Sequence, residues 1–138
     1  MRAVIDTNVF LGACVGTGAA NAVIAAALKR AFIPVMGTAL LTEYEDVLSR
    51  AELFPGCRLN ASEREELLDI FLACCESTRV YYLWRPNLPD EADNHLMELA
   101  VAAGADFIVT RNLRDLRAME LRFPHVRAMS PEDFLKEL

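Results

Sequence analysis

Ala3-Val4-Ile5-Asp6-Thr7-Asn8 is the stretch on which the fold turns. Three apolar residues stopping on an acid read as a buried strand whose C-terminal end carries a carboxylate. Outward from it, short apolar runs alternate with longer amphipathic segments. Residues 17–30 form an alanine-rich helix with Lys29 and Arg30 at its negative end, and residues 32–36 a second strand, where Pro34 favours an edge or an early position. Helices follow over 38–51 and 62–75, the latter with Ser62 and Glu65 at capping-box spacing. The β-branched and aromatic run 78–84 reads as a third strand. After a loop from Pro86 to Pro89 comes a helix to Ala103, closed by Gly104. Residues 106–110 are a fourth strand, a short fifth lies near Val126, and a last helix takes Ser130 as N-cap and Pro131 at its first position. This alternation predicts a three-layer α/β/α fold around a mainly parallel sheet of about five strands.

The chain has 138 residues, which predicts a single domain over 1–138. With 54% apolar and 25% charged residues it is no disordered or solvating tail. The cysteines Cys14, Cys57, Cys74 and Cys75 make no Cys-x-x-Cys pair, and His95 and His125 make no HExxH, which sets aside disulfide scaffolds and zinc. No apolar run reaches the ~18 residues of a membrane span, and no signal-peptide core precedes Asp6, so the expectation is a cytoplasmic protein with no membrane partner. A net charge of −6 argues against a broad basic surface for nucleic acid, but not against a nuclease whose acids gather on metal ions.

In open parallel sheets the ligand crevice lies beyond the carboxyl ends of the strands, which singles out Asp6 and the stretch Arg111 to Asp115. Capping a turn is the plainer use for Asp6 and Asn8. Glu43 sits at the border of the stripe formed by Leu40, Tyr44, Val47 and Leu48, able to reach along the core's rim; otherwise its stem merely covers apolar surface. Asp93 shares the face of Leu96, Met97 and Ala100, while Glu91, Asn94 and Glu98 turn to water and His95 is solvated. A buried aspartate needs a partner. Thr110, Asn112 and Asp115 follow the fourth strand. Clustered carboxylates require cations or raised pKa values. Oxygen ligands without Cys or His select Mg²⁺ or Mn²⁺ over zinc or copper, and the chemistry that follows is metal-assisted phosphodiester hydrolysis.

The ordered set of Val4-Ile5-Asp6-Thr7-Asn8-Val9, the helix from Leu41 through Glu43 to Leu48, the segment from Asp93 to Ala100, and the segment from Ala105 through Thr110 to Leu116 resembles a PIN domain, in particular the toxins of type II toxin-antitoxin systems of the VapC type. The resemblance implies that Asp6, Glu43 and Asp93 bind metal in a ribonuclease site, with Thr7, Asn8 and Thr110 supporting the acids. Where many relatives carry Thr-x-Asp, this chain has Asn112, with Asp115 three further on; either becomes the fourth ligand. It also implies Mg²⁺- or Mn²⁺-dependent cleavage of RNA, an antitoxin partner and a homodimer. Arg111, Arg114, Arg117, Arg122 and Arg127 offer a local positive rim for phosphates, Arg111 and Arg114 foremost, or else a solvated face of ion pairs. A catalytically weak PIN-like module binding RNA or protein is the alternative. A phosphotransfer domain is disfavoured, since Asp6-Thr7-Asn8 lacks Asp-x-Asp and no strand-end lysine follows the fourth or fifth strand.

Overall fold

A computed structural model describes residues 1–80, 91–114, 116 and 123–138, and only the helical backbone of 91–94. The elements in chain order are β1 (Arg2–Ile5), α1 (Thr7–Val15), α2 (Ala19–Leu28), β2 (Ile33–Met36), α3 (Thr38–Leu48), a 3₁₀ turn (Ala51–Leu53), α4 (Ala61–Cys74), β3 (Glu76–Ser77), α5 (Glu91–Ala103), β4 (Phe107–Val109), β5 (Arg127–Met129) and α6 (Pro131–Glu137). The strands form one sheet in the order β3-β2-β1-β4-β5, and every pairing is parallel. Helices flank it in the expected α/β/α arrangement.

β1 is the central strand because its residues tolerate burial on both faces: Ala3, Val4 and Ile5 are 1% exposed or less. The chain leaves β1 toward β2 on one side and meets β4 on the other. The strand order therefore reverses beside β1, and a crevice opens between the carboxyl ends of β1 and β4. Pro34 lies in an internal strand, not at an edge. The Ile33 N–H donates to Met1 O, so the next nitrogen faces β3, and pairing with β3 starts only at Val35. The donor that proline lacks thus faces a side where no partner strand has begun.

Several boundaries differ from expectation. Residues 17–30 do not make the first helix alone; α1 starts directly after Asp6, and α2 begins at Ala19. Gly12 in α1 lets the two helices meet closely, since a Cβ there would stand 3.1 Å from the Ala20 Cβ. The N-cap of α4 is Asn60 rather than Ser62. Asn60 Oδ1 accepts from the Glu63 N–H at 2.9 Å and Glu63 Oε1 from the Asn60 N–H at 3.0 Å, a capping box two residues upstream of the expected one. β3 is Glu76–Ser77, ahead of the run 78–84, of which 81–84 lie outside the described residues, as does the loop from Pro86 to Pro89. Gly104 at φ 64° ends α5, and Ser130 and Pro131 open α6, both as expected.

The core has two aromatic centres. Phe10, Tyr44 and Phe71 join α1, α3 and α4, with ring centroids 5.1 to 6.1 Å apart. Phe134 of α6 meets Phe32 and Phe107 edge-on at 4.9 and 5.6 Å. All four cysteines are free. Among the described residues no single helix is long and apolar enough to cross a membrane; α1 and α2, which jointly have the composition, meet at 103°.

Candidate functional site

Asp6 stands where β1 ends and α1 begins, 6% exposed. Its backbone N–H still donates to Val109 O at 2.9 Å, which fixes it between β1 and β4. Its carboxylate caps α1: Oδ1 accepts from the Thr7 N–H at 2.7 Å. Oδ2 accepts from the Thr110 hydroxyl at 2.7 Å and from Asn8 Nδ2 at 3.2 Å. Three of about four acceptor positions are thereby filled, and one, on Oδ1, has no partner among the described residues. The cap and the metal-ligand readings of Asp6 are therefore compatible.

The supporting residues are themselves held. Thr110, fully buried, accepts from the Asn112 N–H at 2.9 Å while donating to Asp6. Asn8 Oδ1 accepts from the Arg111 N–H at 3.2 Å, which orients its amide so that Nδ2 faces Asp6. Thr7 is buried, and its Oγ1 has no hydrogen-bond partner among the described residues.

Glu43 reaches the site from α3, beside Tyr44, whose buried hydroxyl donates to Ile5 O at 2.6 Å and ties α3 to the end of β1. Glu43 Oε2 lies 2.8 Å from His95 Nε2 of α5. His95 is not solvated: its side chain is only 15% exposed. Glu98 does not face water either, being 1% exposed. Counting 100° per residue missed both because it assumes one wet face. Leu96, Met97, Glu98, Leu99 and Ala100 are all at most 2% exposed, so α5 is covered on nearly every side.

The electrostatics follow from this geometry. Burial pushes the Asp6 carboxyl above the ordinary aspartate range, against the hydrogen bonds from Thr110 and Thr7, and the negative charge of Glu43 adds to the rise. His95 holds the Glu43 carboxyl below the ordinary glutamate range, against partial burial, with help from the nearby Thr7 hydroxyl. Asp6 and Glu43 thus repel each other, and among the described residues no lysine or arginine pairs with Asp6. A hard cation fits this donor set: the Asp6 carboxylate, the Glu43 carboxylate and the buried Thr7 hydroxyl beside it, all oxygen.

Of the expected ligands, the structure brings Asp6 and Glu43 together. Asp93 falls in the first turn of α5, two residues before His95, but its side chain lies outside the described residues, as does all of Asp115. Among the described residues no three acidic, histidine or cysteine side chains form a metal-holding group. Asn112 is exposed and meets the site through its backbone N–H. Arg111 is no free phosphate anchor, because its Nη1 lies 2.6 and 2.7 Å from the two carboxylate oxygens of Glu132. Arg127 pairs with Glu137. Arg114 is exposed, and Arg117 and Arg122 lie outside the described residues. A cavity of about 310 Å³ lies on the far side of this pair, lined by His95 and Glu98 of α5 and by Arg79, which the sequence did not single out.

With this geometry in hand, comparison with known proteins yields two findings. The family model for the PIN domain matches residues 2–114. Among solved structures, the chain resembles one in the crystal structure of VapBC2 from Rickettsia felis bound to a DNA fragment from their promoter, with a TM-score of 0.61 and 17% identity. That match covers 94% of this chain and 98% of the other, and at such identity it shows the shared fold. No curated protein matches the chain.

Proposed function

The chain belongs to the PIN domain family, and from that premise we propose that it is a metal-dependent endoribonuclease, the VapC-type toxin of a type II toxin-antitoxin pair. The observation that carries the reading is the Asp6–Glu43 pair. One acid is buried at the carboxyl end of the central strand, the other arrives from α3, and each carries charge the fold leaves uncompensated by lysine or arginine among the described residues.

Asp6, Glu43 and Asp93 would hold Mg²⁺ or Mn²⁺, with Asp115 or the amide oxygen of Asn112 as the fourth group. When bound, the ion supplies an activated water and stabilises the leaving oxygen of the phosphodiester. The chain's own groups do the rest. The Thr7 N–H, Asn8 and Thr110 fix the Asp6 carboxylate in one orientation. Arg114 and Arg79 offer exposed positive charge to the RNA backbone, and Arg111 does so once Glu132 releases it. The fold shared with a chain of VapBC2 supports an antitoxin as partner. A homodimer acting in the cytoplasm completes the reading.

The test is cleavage of single-stranded and structured RNA with Mn²⁺ and with EDTA, comparing wild type with Asp6→Asn and Asp93→Asn. Cleavage confined to wild type with metal is expected; equal cleavage in every arm refutes the assignment. Asn112 favours a second reading, because a neutral amide in place of a fourth carboxylate weakens the grip on a second ion. On that reading the chain is a weak or inactive module that binds RNA or protein without cutting, and RNA retained without cleavage would identify it.

A further inference from the structure

We propose that His95 is a positioning residue for Glu43, holding one carboxylate oxygen so that the other is presented to the cation; this rests on the nuclease reading above. Glu43 projects from α3 with its side chain 38% exposed, and a glutamate so placed samples several rotamers. Binding an ion selects one of them, and any contact that selects it beforehand raises affinity. His95 Nε2 at 2.8 Å from Oε2 makes such a contact, and it leaves Oε1 outside that contact, on a carboxylate whose charge acts on Asp6.

His95 Nδ1 is buried and has no hydrogen-bond partner among the described residues. Nε2 is committed to Glu43 while the buried Nδ1 goes without a partner, a cost accepted for the one contact. A histidine serving only to fill space between α3 and α5 would do better as leucine or methionine, which bury no polar atom. The helix that carries His95 also carries Asp93, so one element bears both the third acid and the group that orients the second.

The experiment measures Mn²⁺ binding by titration calorimetry on the whole chain, with urea unfolding alongside, for wild type, His95→Gln, His95→Leu, Glu43→Gln and the Glu43→Gln/His95→Leu double variant. Removing a partner that orients a metal ligand typically weakens affinity about 10- to 100-fold. His95→Leu is expected to lose that much with its urea midpoint kept, and His95→Gln, which restores an N–H at similar reach, to recover most of it. In the Glu43→Gln background His95→Leu should add nothing. Wild-type affinity in His95→Leu, or an undiminished loss in the Glu43→Gln background, overturns the positioning role alone. No Mn²⁺ uptake by wild type overturns the nuclease reading and this role with it. If His95→Leu fails to fold, the comparison rests on His95→Gln, where a full loss of binding equally overturns the proposal.

Discussion

Tyr44→Phe removes one oxygen from the place where the fold and the site are joined. The hydroxyl is fully buried and donates to Ile5 O, one residue before Asp6. The last β1–β2 pair is Val4 with Val35, so that carbonyl lies where the ladder with β2 has run out. Phenylalanine keeps the ring and its packing on Phe10 and Phe71, which makes the cavity contribution small. What remains is a buried acceptor left without its donor, a loss of about 1–3 kcal/mol. For a chain of 138 residues that corresponds to a fall of roughly 3–10 °C in Tm. Tyr44→Ala also empties the ring's space, and truncations of that kind cost about 3–5 kcal/mol. Urea denaturation with linear extrapolation measures both. A Tyr44→Phe variant within about 0.3 kcal/mol of wild type, far below the cost of an unsatisfied buried acceptor, would refute the claim that this bond secures the end of β1.

Other consequences concern charge and reactivity. The folded-state pKa of Asp6 lies above its ordinary value of 3.8, so its contribution to stability is fully present below about pH 4 and is lost as pH climbs through the raised value. In EDTA, the stability advantage of Asp6→Asn over wild type should therefore widen from pH 4 upward, and a constant gap in urea midpoints would contradict it. Glu132→Gln frees the Arg111 guanidinium; the expected result is a few-fold lower KM for RNA with a salt slope steeper by about 0.7, and an unchanged slope counts against it. Burial lifts the Cys14 thiol to about 11 and the Cys75 thiol to about 12. Both should alkylate at least about 100-fold more slowly than free cysteine at pH 8, as mapped by mass spectrometry after timed iodoacetamide labelling.

The centre of the sheet was legible in the sequence because β1, β2 and β4 are short apolar runs with sharp signals nearby, Asp6 after β1 and Gly104 before β4, whereas β3, the exposed polar pair Glu76-Ser77, was expected over 78–84. What escaped was set by packing. α1 carries Gly12 and begins on the polar pair Thr7-Asn8, so its local signal is weak, and its packing on α2 and α3 makes it a helix. Asn60 outcompetes Ser62 as cap through its reciprocal bonds with Glu63, a choice that spacing alone leaves open. Asp6 was legible from its position at a strand end. His95 was not, because its role depends on where α3 lies across from α5, and no periodicity within α5 encodes that distance. The pairing of Arg111 with Glu132 spans 21 residues and is equally invisible along the chain.

The central claim is that Asp6 and Glu43 grip one divalent ion. A crystal soaked in Mn²⁺ and measured at the manganese edge tests it most directly. The account predicts an anomalous peak at coordinating distance from Asp6 Oδ1 and Glu43 Oε1, absent from crystals of Asp6→Asn. A manganese site elsewhere, with that pocket empty of anomalous density, would contradict it.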